Sequence, residues 1–105
     1  MMRIAIAGGA GRMGAALAKV AHLAEDVKLV GAIDHPASNK ISNDIGEMAG
    51  LGKIGVTITD SIEELLGTFD TLIDFSSPES TAINATICAN RGLKLVVGTT
   101  GLVKE

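Results

Sequence analysis

Four glycines, Gly8, Gly9, Gly11 and Gly14, fall within the stretch RIAIAGGAGRMGAAL at residues 3–17, and an aspartate, Asp34, follows twenty positions after the last of them. A glycine cluster between a short apolar run and an alanine-rich stretch suits a task that side chains would obstruct: bringing backbone N–H groups against an anion. Where a strand ends and a helix begins, one glycine makes the tight turn, a second lets the backbone approach a pyrophosphate, and a third lets the helix pack closely on the strand. The helix N-terminus adds unpaired N–H groups and a partial positive charge. Two registers fit, Gly8-x-x-Gly11-x-x-Gly14 and Gly9-x-Gly11-x-x-Gly14, which share their last two glycines. Asp34, at the end of a second apolar run, stands where a carboxylate accepts hydrogen bonds from ribose hydroxyls. Together these features predict a dinucleotide site rather than a glycine-rich turn before an ordinary helix. His35 follows where a ribose 2′-phosphate would lie; the other reading is an exposed loop histidine.

The elements that must position these residues alternate along the chain. Residues 2–7 form a short β-type run, and residues 11–24 place apolar side chains on a helical face. Residues 28–33 (KLVGAI), 56–59, 71–75 (TLIDF) and 94–97 (KLVV) read as further strands. Ser61 precedes IEELL with Glu64 three positions on, a capping-box pattern. Pro78 opens a helix that stops at Gly92. Short apolar strands separated by helices predict an α/β fold of Rossmann type, a parallel sheet with helices on both faces, truncated at about five strands. The stretch 34–55 has no helical or strand period and is expected to be a long loop, functional or mobile. Asp74, inside an apolar strand, must be hydrogen-bonded near the site or lie at the sheet rim, because burying it unpaired is costly. His22 and Cys88 fall inside helices and read as packing or surface residues.

Composition excludes several classes of function. A chain of 105 residues can bury a core, and no apolar run approaches the roughly 20 residues of a membrane span. One cysteine and no visible secretory signal point to the cytoplasm. A net charge of −3, no basic cluster and only two aromatic residues, Phe69 and Phe75, argue against nucleic acid as a partner. No metal-ligand pattern stands out.

Four segments, IAIAGGAGRMG, DIGEMAGLGKIGVTI, LIDFSSPEST and LVVGTTG, resemble in sequence and order the N-terminal domain of the 4-hydroxy-tetrahydrodipicolinate (dihydrodipicolinate) reductases, over essentially the whole chain. The resemblance implies a cofactor, NADH or NADPH, that delivers a hydride to a cyclic substrate in bacterial lysine and diaminopimelate biosynthesis. It implies a pyrophosphate loop of Gly8, Gly9, Ala10, Gly11, Arg12 and Met13, with Arg12 and Met13 beside the phosphates and Asp34 on the ribose. Phe75 and Ser76 close the fourth strand near the dinucleotide, and the turn Gly98, Thr99, Thr100 sits at the nicotinamide end. Arg12 and Met13 also read as a surface arginine and core filler, and GTTG as a plain turn.

Members usually carry a basic residue where this chain has His35, so the expectation is binding of both cofactors with a tilt toward NADH. Residues 1–105 would be the cofactor domain, with the substrate domain and its catalytic residues absent from this chain and the full-length protein a homotetramer. No catalytic residue is assigned within it, and these residues alone are expected to bind cofactor without turnover. The alternative is a stand-alone nucleotide-binding or sensing module.

Overall fold

β1 (Met2–Ala7) is the central strand of a five-stranded parallel sheet, and its alternation sets up both halves of the core. Ile4 and Ile6 face one side of the sheet, Ala5 and Ala7 the other. The elements follow as α1 (Arg12–Leu23), β2 (Val27–Ile33), α2 (Ile45–Met48), β3 (Ile58–Thr59), a 3-10 turn (Ile62–Leu65), β4 (Thr71–Asp74), α3 (Pro78–Arg91) and β5 (Lys94–Val97). The strands lie side by side in the order β3-β2-β1-β4-β5. The chain leaves the centre in both directions, so the carboxyl ends of β1, β2 and β4 diverge around a crevice, the place where open α/β sheets take their ligands. The computed structural model describes residues 2–9 and 11–98. Among them no helix is long and apolar enough to cross a membrane.

On the isoleucine side, α1 buries Gly14, Ala18 and Ala21 at helical spacing against the sheet. Small residues there let the helix approach closely. On the alanine side, space left by Ala5 and Ala7 is filled by Phe69, Leu72, Ile62 and, from α3, Cys88. Burial, with the Asp74 carboxylate adding, pushes the Cys88 thiol above its usual range. The cysteine therefore serves packing, as its place in the sequence suggested.

The β1–β2 register shifts between Ile4 and Ala5, which pair with Leu29 and Gly31 and skip Val30. A Cβ on Gly31 would meet the Leu65 side chain at 2.7 Å, so glycine lets the 3-10 turn close over β2.

Three expectations are corrected. The third strand has only two residues, Ile58–Thr59. Ser61 makes no capping box: its Oγ donates to Glu63, and Glu64 accepts from the Thr59 hydroxyl instead. The stretch 34–55 is not a period-free loop but a tethered one. Asp44 accepts from the N–H groups of Gly46 (2.8 Å), Ile54 (3.1 Å) and Gly55 (2.7 Å), starts α2, and sends Ile45 and Met48 into the isoleucine layer. Burial raises the Asp44 carboxyl, but these backbone donors together outweigh it and hold the group below its ordinary 3.8. A single aspartate thus gives the segment order that hydrophobic periodicity could not signal.

Candidate functional site

The turn between β1 and α1 shows what each glycine is for. Gly8 has φ +88°, and a Cβ on it would lie 3.0 Å from the Phe75 carbonyl group. Gly8 and Gly9 both donate to the Ile33 carbonyl, at 2.9 and 3.0 Å, which ties the turn to the end of β2. A Cβ on Gly14 would sit 2.6 Å from the Gly8 oxygen and 2.7 Å from the Gly9 Cα. Gly11 differs. Its backbone is extended, and among the described residues a Cβ there would meet only the Gly8 oxygen, at an ordinary 3.5 Å. The fold requires glycine at 8 and 14 and leaves position 11 open to a side chain.

Gly11 is also the N-cap of α1, without a side-chain cap and with no acidic residue in the first turn. Arg12 and Met13 follow in that first turn, both exposed, Met13 at 53%. The reading of Met13 as core filler is therefore excluded. An uncapped helix start with exposed side chains and a bare backbone is a cradle for an anion.

Beside the turn lies a cleft of about 360 Å³ between the ends of β1, β2 and β4 and one flank of α3. It brings together Gly8, Asp34, His35 and Ser76 from the sequence-derived set. Asp34 Oδ1 accepts from the His35 N–H at 2.7 Å, and His35 Nδ1 accepts from the Ala37 N–H at 3.0 Å. Nδ1 of the imidazole is therefore engaged within the loop, and Nε2 is its remaining polar atom. Phe75 does not line the cleft: its backbone covers Gly8, and its ring lies where a Cβ on Gly98 would fall. Gly98 donates to the Asp74 carbonyl at 2.8 Å, joining β5 to β4 at this end of the sheet. Ala10, Thr99 and Thr100 lie outside the described residues.

The cleft also contains residues that sequence reasoning missed. Asp60 and Glu63 come from the segment after β3, while Ile83, Asn84 and Ile87 come from α3. The signal for α3 was an isoleucine pair four positions apart beside a buried asparagine. Ile83 is 62% exposed, an apolar side chain aimed at a cleft rather than the core. Beneath the wall lies Asp74, fully buried, whose Oδ1 accepts from the Ser76 N–H and hydroxyl and whose Oδ2 accepts from Asn84 Nδ2 at 2.9 Å. Of the two placements open to Asp74, the hydrogen-bonded one near the site is correct.

A parallel sheet in the order 3-2-1-4-5, a glycine turn into an uncapped helix and an acidic residue closing β2 define a dinucleotide-binding type of α/β domain. The family can be given more closely. Residues 2–105 match the family model described as dihydrodipicolinate reductase, N-terminus, and the chain belongs to that family of pyridine nucleotide-dependent reductases.

Among solved structures, the chain is similar to an amine dehydrogenase from Mycobacterium smegmatis, at 27% identity and a TM-score of 0.74, over 91% of this chain and 29% of that one. It is also similar in fold to a dipicolinate-bound dihydrodipicolinate reductase from Paenisporosarcina sp. TG-14, at 24% identity and a TM-score of 0.73, over 94% of this chain and 37% of that one. The chain thus spans about a third of the length of either protein.

Proposed function

We propose that these residues form the NADH- or NADPH-binding domain of a dihydrodipicolinate reductase that makes tetrahydrodipicolinate in the cytoplasm for lysine and diaminopimelate synthesis. One observation supports cofactor binding above the others: Gly11 has no side chain although the fold would accept one. A Cβ missing without internal reason leaves room for something outside, and the uncapped start of α1 gives that something N–H donors and positive potential. The pyrophosphate would lie across Gly9, Gly11 and the first turn of α1, with the adenosine half entering the cleft past Asp34. When bound, the nicotinamide supplies the hydride. The chain's own residues hold and orient the cofactor, while substrate positioning and proton donation come from sequence outside this chain, as does assembly into a tetramer.

The cleft also favours the unphosphorylated cofactor. Three carboxylates, Asp34, Asp60 and Glu63, line it with no lysine or arginine among the described residues, and a ribose 2′-phosphate would enter that negative field with only His35 to meet it.

Calorimetric titration tests the reading. The chain is expected to bind both cofactors, NADH the more tightly, with His35→Arg shifting preference toward NADPH. Gly11→Val should abolish binding while the far-UV circular dichroism stays close to that of the unmodified chain. Normal binding by a folded Gly11→Val would show that the turn is only structural. The unmodified chain mixed with NADH and substrate should show no oxidation above the protein-free rate.

A further inference from the structure

Asp74 is a fully buried carboxylate with no place in the scheme above, yet three donors converge on it, and the two residues that carry them, Ser76 and Asn84, line the cleft. A carboxylate offers lone pairs only, so it dictates how each neighbour turns. Asn84 must give Nδ2 to Asp74, and Ser76 has spent its only hydroxyl proton there, so that oxygen can meet anything else only as an acceptor. The asparagine is 93% buried and its amide cannot rotate without breaking the bond to Asp74.

Resting on the cofactor-binding reading, we propose that Asp74 is a positioning residue for base recognition: it turns Asn84 Oδ1 toward the cleft, so that the wall selects a ring carrying an amino donor. The ligand edge seated between Ile83 and Ile87 is then a 6-aminopurine, and a 6-oxopurine presents an acceptor to an acceptor. Apolar flanks supply contact for either ring, and only the asparagine reads the difference. A site built to hydrogen-bond one group rejects an analogue lacking it, because its own polar atom is left unpaired.

The test compares NADH with reduced nicotinamide hypoxanthine dinucleotide, which has a 6-oxo group and an N1–H where adenine has a 6-amino group and a bare N1, by calorimetry on the chain. NADH is expected to bind about tenfold or more tightly, a modest share of the discrimination such sites reach. Asp74→Asn turns the logic over: the new amide faces Asn84 with a donor, Asn84 rotates to accept from it, and Nδ2 now points at the cleft. The ratio should close or reverse in favour of the 6-oxo cofactor, a change that a merely structural role would not produce. Should Asp74→Asn fail to fold, Asn84→Ala takes its place, and its ratio should fall toward one.

Equal affinity of the unmodified chain for the two cofactors overturns the proposal and leaves dinucleotide binding intact. A folded Asp74→Asn that weakens both cofactors by the same factor also overturns it. Failure of the unmodified chain to bind either one removes the cofactor reading and this proposal with it.

Discussion

Gly11 and Ser77 occupy matching places, each the N-cap of a long helix that follows a strand of the sheet, and each holds nearly the same backbone conformation. Gly11 has φ −87° and ψ 175°, Ser77 φ −86° and ψ 162°. Ser77 caps α3 in the ordinary way: its side chain accepts from the Ser80 N–H at 3.2 Å, Pro78 fills a position that needs no donor, and Glu79 adds negative charge to the first turn. Asp44 does the same for the short α2. α1 has none of these devices. The same backbone would seat a serine at 11 and the space around it is open, so neither strain nor crowding explains the glycine. α3 satisfies its own end with a side-chain cap; α1 has no side-chain cap at its start.

The sharpest way to break this comparison is through Gly14, where the helix start and the turn touch backbone to backbone. Gly14→Ala puts a Cβ inside 3 Å of Gly8 and Gly9, so the turn or the helix must move. Destabilisation of about 1–3 kcal/mol, the usual range for overpacking, is expected in denaturant titrations, together with loss of cofactor binding. Gly11→Val, by contrast, should lose binding with the fold kept, at no more than the cost of a poorer N-cap. If both variants lose both properties, the division of labour between the two glycines is wrong.

Asp44 gives the next effect. Asp44→Asn keeps the size but loses the charge-assisted bonds and turns a donor toward N–H groups, so the tether at 44–57 should loosen, seen as faster amide exchange at Ile54 and Gly55. Because the folded group sits below its ordinary 3.8, its contribution is complete above that value and is lost as the pH falls through the lower folded one. Acid unfolding of Asp44→Asn should therefore lack that component of pH dependence.

Ser77→Ala is smaller again, about 1 kcal/mol, the usual value of a polar N-cap, read as a lower denaturant midpoint with an unchanged slope.

The legibility of these features in the sequence follows from what each depends on. The sheet was readable because β1 alternates its core faces and the helices carry small or apolar residues at helical spacing, all local signals. The glycine turn was readable because a φ near +88° and a backbone contact leave glycine as the residue that fits. Asp44 was not, because its partners Ile54 and Gly55 lie ten and eleven residues away and nothing local marks the pairing. The Ser61 pattern misled for a similar reason: Thr59, positioned by β3, competes for the glutamate that a capping box would use. The α3 wall of the cleft was missed because Ile83 and Ile87 look like any helical apolar pair until the sheet order places them opposite Asp34.

The smallest effect on stability gives the most direct test of why α1 is left open. Gly11→Ser gives α1 the cap that α3 already has, on a backbone that differs from Ser77 by 1° in φ and 13° in ψ. Serine exceeds glycine as an N-cap by only a few tenths of a kcal/mol, so the chain should become slightly more stable. The same hydroxyl would take an N–H that the pyrophosphate needs and set its oxygen lone pairs toward the phosphate oxygens. Cofactor affinity should then fall while stability rises, and the fall should be smaller than for Gly11→Val because serine is shorter and can rotate away. Opposite signs for the two measurements are the outcome that a site kept open for a ligand requires. A Gly11→Ser chain that is stabilised and binds NADH as before would mean that α1 simply lacks a cap.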